Sequence, residues 1–119
     1  MLTEKDYCDY DTSITLGELG FPLKRMKVKN FIDGQFSESI VTVLFYEAQK
    51  WLRKEKKIGV FVSGFKNGYT FWINDLLNGD TLYQGFFDNQ TGKKYKSYEE
   101  ALSEGIKESI KILKNRNNS

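Results

Sequence analysis

Two helical stripes of apolar residues dominate the pattern of the chain. Apolar side chains recur three or four positions apart in both, the spacing that places them on one side of an α-helix. The first helix is predicted over residues 43–56 with Thr42 as its N-terminal cap, and its stripe comprises Leu44, Ala48, Trp51 and Leu52. The second opens with the capping box Ser97-Tyr98-Glu99-Glu100, and its stripe comprises Ala101, Leu102, Ile106, Ile110 and Leu113. We expect this helix to fray over residues 114–119.

A shorter helix is predicted near the N-terminus, over residues 11–19. The carboxylate of Asp9 or of Asp11 can accept hydrogen bonds from its first turn. Gly20 suits the left-handed position that closes a helix, and Pro22 prevents continuation.

The remaining apolar segments are divided by short turn signals, which is typical of antiparallel strands. A hairpin is predicted over residues 24–40, with its turn at Asp33-Gly34. Three further strands are predicted at residues 58–66, 69–76 and 81–88, with two-residue turns at Asn67-Gly68 and Asn78-Gly79. The order α-ββ-α-βββ-α indicates an α+β fold, in which an antiparallel sheet of about three to five strands packs against the two longer helices. We expect residues 1–119 to form a single domain.

The predicted turns also assign the side chains to sheet faces, because successive residues of a strand point to opposite sides. The core face comprises Ile58, Val60, Val62, Tyr69, Phe71, Ile73, Leu82 and Phe86. The second face comprises the candidate binding residues Phe61, Phe65, Trp72, Tyr83 and Phe87. Five exposed aromatic side chains would exceed the apolar patch that most monomers tolerate. Either the N-terminal helix, the first hairpin or a second subunit covers this face, or it is a stacking platform for bases or a partner's side chains.

The chain lacks the residues on which much enzyme chemistry depends. It contains no histidine, the usual general base of hydrolases and a common zinc ligand. The single cysteine, Cys8, lies among Asp6, Asp9 and Asp11, which should raise the pKa of the thiol and blunt it as a nucleophile. No glycine pattern matches a phosphate-binding loop, and the aspartates lack the spacing of a calcium loop. We therefore expect a non-enzymatic protein without a metal or cofactor.

Charge is unevenly distributed, although 18 basic and 16 acidic residues leave a net charge of only +2. Residues 24–57 hold nine basic and four acidic side chains. The alternating segment Lys24-Arg25-Met26-Lys27-Val28-Lys29 is typical of a half-buried edge strand, whose lysines discourage unwanted pairing. These cations are either a solvated surface or, together with the aromatic face, a contact for nucleic acid.

The sequence also predicts a cellular setting. No signal peptide is recognisable at the start, and no apolar run approaches the roughly 20 residues that span a bilayer. A lone cysteine is unusual in a small secreted domain. We expect a cytoplasmic protein without membrane contact.

Several segments resemble small uncharacterised proteins of gut Bacteroidetes genomes, prophages and phages. The similarity is carried by Thr42 to Glu55, by Ser97 to Leu113, and by the opening residues Tyr7-Cys8-Asp9-Tyr10 with Leu19-Gly20-Phe21. These are packing motifs, so the resemblance assigns no functional residue. It implies an accessory protein of a mobile genetic element.

Three functional hypotheses follow from these observations. The first is a non-enzymatic phage or prophage accessory protein that binds a host protein or associates with itself, as a homo-oligomer that buries the second sheet face. The second is a nucleic-acid-binding protein that uses this face with the surrounding lysines. The third is a protein that sequesters a small nucleotide or another signal molecule.

Overall fold

The computed structural model describes residues 6–29, 32–66, 68–84 and 94–117, with the backbone alone at Val28, Phe65 and Asn117. The described chain forms three helices and two antiparallel sheets in the predicted order, which confirms the α+β fold. The elements are α1 (Tyr10–Glu18), β1 (Arg25–Lys29), β2 (Phe36–Ile40), α2 (Phe45–Glu55), β3 (Ile58–Phe65), β4 (Gly68–Asp75), β5 (Thr81–Tyr83) and α3 (Tyr98–Asn117). Within these residues, no helix has the length and apolar character needed to cross a membrane.

The core lies between the sheet β3-β4-β5 and the helices α2 and α3. Its buried side chains on the sheet are Ile58, Val60, Phe71 and Ile73, and those on the helices include Ala48, Leu52, Leu102, Ile106 and Ile110. The two predicted helical stripes are thereby confirmed as core, with two exceptions: Trp51 is half-buried, and Leu44 is half-buried at the N-terminal cap of α2. Val62, which pairs with Phe71, is also half-buried.

The β3–β4 register differs from the prediction by two positions, because the turn lies one residue earlier than predicted. Phe65 pairs with Gly68 and Phe61 pairs with Trp72, so the connection comprises residues 66–67. Gly68 is the first residue of β4, and its backbone runs close to that of Tyr95. A Cβ atom at this position would lie 2.8 Å from the carbonyl oxygen of Tyr95, so a glycine is needed here. A shift of two positions leaves every side chain on its predicted face.

The β4–β5 connection differs in a way that does change a face. The amide of Asp75 donates to the carbonyl of Asp80 at 2.7 Å, so four residues form the turn where two were predicted. A bulge then shifts the pairing, because Asn74 pairs with Thr81 while Ile73 pairs with Tyr83. One extra residue in one strand rotates the following side chains to the opposite face. Tyr83 therefore lies on the core face, and its predicted position on the second face is wrong.

The first hairpin has a longer connection than the predicted two-residue turn. Lys29 pairs with Phe36, which leaves residues 30–35 to connect β1 and β2. The Asp33 carboxylate accepts a hydrogen bond from the amide of Gln35 at 2.9 Å, and Gly34 has a positive φ of 73°. These two residues form a local turn, as their types suggest. They do not join the strands directly, because the last paired residues are Lys29 and Phe36.

Helix α2 begins later than predicted, and Thr42 is not its cap. The residue at the cap is Leu44, which makes no side-chain capping hydrogen bond. Residues 43–44 are instead extended: Leu44 bridges Tyr7, and the carbonyl of Val43 accepts from the amide of Cys8 at 2.7 Å. This tertiary pairing uses backbone groups that a helix starting at residue 43 would need.

The ends of α1 and α3 agree with the sequence except at the C-terminus. Asp9 caps α1 by accepting from the amide of Thr12 at 2.7 Å, and Gly20 follows that helix with φ of 112°. Helix α3 does not fray after Leu113 but continues to Asn117. Arg116 Nη2 lies 3.2 Å from Asp75 Oδ2 and ties its last turn to the end of β4.

Candidate binding surfaces

The second sheet face presents fewer aromatic side chains than the sequence suggested. Phe61 and Trp72 lie directly opposite each other on it; Phe61 is 47% exposed and Trp72 is half-buried. Tyr83 instead stacks on Phe71 of the core face, with ring centroids 4.7 Å apart and an interplanar angle of 14°. The side chain of Phe65 and the whole of Phe87 lie outside the described residues.

The Phe61 ring has a local structural role. A Cβ atom at Gly59 would lie 2.7 Å from Phe61 Cε2, so the ring rests directly on the glycine backbone. An aromatic ring that covers a strand glycine is a known means of stabilising a sheet. Among the described residues, the structure thus brings Phe61 and Trp72 together as a cross-strand pair and places Tyr83 on the other face.

The β1–β2 hairpin carries large apolar side chains that are exposed to solvent. Met26 is 53% exposed and Phe36 is 66% exposed. Its base is held to the body, since Ile40 and Val43 are buried and the amide of Val43 donates to Ser13 Oγ of α1 at 3.1 Å. The alternation that predicted a half-buried edge strand therefore belongs to a ribbon that is open on both faces.

Register places three cations of this ribbon on one face. Arg25, Lys27 and Lys29 alternate along β1 and are all exposed. Their cross-strand partners on that face are Ile40, Glu38 and Phe36, respectively. The opposite face carries Met26 and the serines of β2, Ser37 and Ser39.

A groove continues from the base of the hairpin along α2. Two adjoining cavities of about 300 and 250 Å³ share Phe21 and Glu47 in their walls. Lys24 at the hairpin lines the first cavity, and Lys54 on α2 lines the second. The remaining residues that line them are Tyr7, Pro22, Val41, Thr42, Val43, Leu44, Lys50, Trp51 and Glu55.

Two aromatic side chains, Phe21 and Trp51, line this groove, and the cation of Lys56 lies over one of them. The rings of Phe21 and Trp51 meet edge to face at a centroid distance of 5.5 Å. Lys56 Nζ lies 5.4 Å from the Trp51 ring centroid, within the range of a cation–π interaction. These contacts explain why Trp51 is half-buried on the side of α2 and not enclosed in the core.

A larger pocket of about 580 Å³ lies where the N-terminal segment meets the start of α3. Its walls comprise Tyr7, Cys8, Asp9, Phe45, Lys96, Ser97, Glu99, Glu100 and Ser103. Two of its three carboxylates are engaged in capping. Asp9 caps α1 and contacts Lys107 Nζ at 3.5 Å, and hydrogen bonding from Thr12 lowers its pKa. The amide of Glu100 donates to Ser97 Oγ, which confirms one half of the predicted capping box, but the Glu100 carboxylate accepts from the amide of Lys96 at 2.9 Å where the prediction had the amide of Ser97.

Cys8 at the inner wall of this pocket is a buried thiol. It is 3% exposed, and its pKa is raised to about 12, chiefly by burial and secondly by the charge of Asp9. The predicted direction of the shift is confirmed, but the acidic neighbours that suggested it are the smaller cause. A thiol that stays protonated at neutral pH is a poor nucleophile.

The described residues bring together no group of three or more side chains suited to hold a metal ion. The chain matches no protein family, no curated protein and no solved structure.

Proposed function

We propose that the protein is a non-enzymatic binding protein that contacts its partner macromolecule with the β1–β2 hairpin. The observation that carries the proposal is a ribbon whose apolar and cationic side chains both face solvent: Phe36 is 66% and Met26 is 53% exposed beside the exposed Arg25, Lys27 and Lys29. Large apolar side chains on a projecting ribbon contribute little to the core, and exposed apolar groups rimmed by polar ones are typical of interaction sites.

The shape of the molecule supports this role. The radius of gyration is 16.5 Å and the longest extent is 56 Å. A compact domain of this length would have a radius of gyration of about 13–14 Å. The molecule is therefore more elongated than a compact domain of the same length. The hairpin is a separate consideration, because a two-stranded ribbon is only marginally stable by itself. A partner that packs on the ribbon would stabilise it.

The proposal includes the cellular setting that the sequence suggests. The resemblance of residues 42–55 and 97–113 to phage and prophage proteins supports an accessory role in a mobile element. A single, buried cysteine fits a cytoplasmic protein.

Site-specific photo-crosslinking in cells tests this proposal. A photoreactive residue at Phe36 should give a discrete crosslinked species, whether with a protein, a nucleic acid or a second copy of the chain. The same residue at Lys111, exposed on the outer side of α3, is the matched control. Equal crosslinking at the two positions, or none at position 36, would contradict a role of the hairpin in binding.

The pocket beside Cys8 favours a second candidate, the sequestering of a small molecule. Its volume of about 580 Å³ is within the range of ligand sites. Three carboxylates and one lysine line it, so its charge suits a cationic or neutral ligand better than a nucleotide. A native mass spectrum of the freshly purified protein would show a retained ligand as added mass, and Ser103→Trp, which fills the pocket, should remove that mass.

A further inference from the structure

We infer that the partner of the hairpin is double-stranded DNA, bound by its phosphate backbone along a surface that runs from β1 to α2. The inference rests on the proposed function, because it names the class of partner that the hairpin contacts. It assigns the binding surface to the cationic hairpin face and the adjoining groove, not to the second sheet face.

The first argument is the arrangement of cations on β1. Arg25, Lys27 and Lys29 share one exposed face of the ribbon, and alternate residues of a strand are about 7 Å apart. The row is thus about 13 Å long, close to four nucleotide steps of one duplex strand at about 3.4 Å each. Glu38 lies on the same face opposite Lys27, so three cations and one anion leave this face net positive.

The second argument is the shape of the ribbon. A two-stranded antiparallel β-ribbon fits the major groove of B-form DNA, which is about 12 Å wide. In the described ribbon, Arg25–Lys29 paired with Phe36–Ile40, the outer side chains of Lys27, Lys29 and Phe36 are exposed, whereas Ile40 at the base is buried. The outer part of the ribbon can therefore enter a groove while the body remains outside.

The third argument is continuity with α2. The two cavities that share Phe21 and Glu47 connect Lys24 at the hairpin base to Lys50 and Lys54 on the exposed side of α2. A duplex that lies against the three cations of the hairpin would also pass over Lys50 and Lys54 of α2. Two carboxylates share this surface: Glu47 lines both cavities, and Glu55 lines the cavity on α2.

The composition of this surface favours DNA over an acidic protein. Lysine is depleted in protein–protein interfaces, whereas protein–DNA interfaces are far more positively charged. The cationic face of the ribbon has only Phe36 as a large exposed apolar side chain, opposite Lys29. A protein partner would more often require an apolar centre on that face.

The test measures binding of the purified full chain to a fluorescent 20-base-pair DNA duplex at several salt concentrations. Binding should weaken as salt rises, with a slope of log K against log[salt] of about −4 if four to five phosphates are contacted. The variant Arg25→Gln/Lys27→Gln/Lys29→Gln should bind about tenfold or more weakly, and the magnitude of its slope should fall by about 2 to 3. Lys50→Gln/Lys54→Gln should lower the slope further, by about 1 to 2.

The matched control is Lys66→Gln/Lys111→Gln/Lys114→Gln, which removes the same charge at exposed positions elsewhere. It should bind the duplex within about twofold of the unaltered protein, since distant charges are screened at 0.1 M salt. All these positions are exposed, so melting by circular dichroism should confirm that each variant folds.

Three outcomes would overturn the inference. Absence of duplex binding by the unaltered protein is one, and equal losses in the hairpin variant and the control are another. Tighter binding of a single strand than of the duplex, lost in Phe61→Ser, would move the site to the second sheet face. Crosslinking of a protein at position 36 without DNA binding would leave the proposed function intact and remove DNA as the partner.

Discussion

At the scale of single residues, Cys8 links burial to the pH dependence of stability. The unfolded chain ionises the thiol near its usual pKa of 9.0, whereas the folded chain keeps it protonated up to about pH 12. Above pH 9 the unfolded state therefore binds fewer protons than the folded state, and stability falls as the pH rises. Burial likewise raises the pKa of Tyr95, which contributes in the same direction.

We expect the free energy of unfolding to fall more steeply between pH 9 and 11 in the unaltered protein than in Cys8→Ala. Two pH units of this linkage correspond to about 2–3 kcal/mol. Urea denaturation at several pH values measures it, and Tyr95 contributes equally to both proteins. Parallel pH profiles would show that the thiol is not protected in the folded state.

Trp51 and Leu52 are neighbours in α2 that stabilise the fold to different degrees. Leu52 is fully buried, while Trp51 is half-buried against Phe21 and Lys56. Leu52→Ala should cost about 2–5 kcal/mol, the range for a core leucine. Trp51→Ala should cost less, about 1–3 kcal/mol, because its ring faces the groove on one side. Urea denaturation compares the two, and a larger loss at Trp51 would place its ring within the core.

At the scale of elements, the contact between α3 and the sheet depends on a glycine. A Cβ atom at Gly105 would lie 2.6 Å from Val60 Cγ1 and 3.3 Å from the Phe71 ring. Both neighbours are buried core side chains, and a β-branched valine has little freedom to move. Gly105 therefore allows the helix to approach the strands closely.

Gly105→Ala should destabilise the protein by about 1–3 kcal/mol, the cost of overpacking, although alanine favours helix by about 1 kcal/mol. Gly105→Ser should cost more. Lys111→Ala, on the exposed side of the same helix, is the control and should change stability by less than about 0.5 kcal/mol. Thermal or urea denaturation measures the free energy of unfolding of each variant. If Gly105→Ala stabilised the protein, the helix and the sheet could move apart at little cost, which would contradict this prediction.

At the scale of the whole molecule, the hairpin and the body are held together mainly at the hairpin base. Ile40 and Val43 are buried there, and Ser13 Oγ accepts from the amide of Val43 at 3.1 Å. Farther out, Lys27, Lys29 and Phe36 are exposed. The body should therefore keep its stability when the outer part of the hairpin is removed.

Replacing residues 26–39 with Asn-Gly keeps Arg25 and Ile40 paired across a two-residue turn. We expect the free energy of unfolding to change by less than about 1 kcal/mol and the radius of gyration, measured by small-angle scattering, to fall below 16.5 Å. DNA binding should be lost. Unfolding of this variant would show that the hairpin is an integral part of the core.

The sequence alone determined the order of elements and most of the core. Helical stripes and capping residues act over a few positions, so Leu52, Ile106 and Ile110 and the caps at Asp9 and Ser97 could be recognised locally. The face assignments of β3 and β4 also held, because moving the turn by one residue shifted the pairing register by two, which is an even number.

The tertiary structure alone decided the features that depend on distant backbone. A bulge between Ile73 and Asn74 turned Tyr83 into the core, and pairing with Tyr7 and Cys8 drew residues 43–44 out of α2. Alternation along β1 indicates a strand but does not say whether another layer covers it. The burial of a strand depends on which other elements pack against it. For this reason the sequence predicted β1 as a half-buried edge strand, whereas in the structure it belongs to an exposed cationic ribbon.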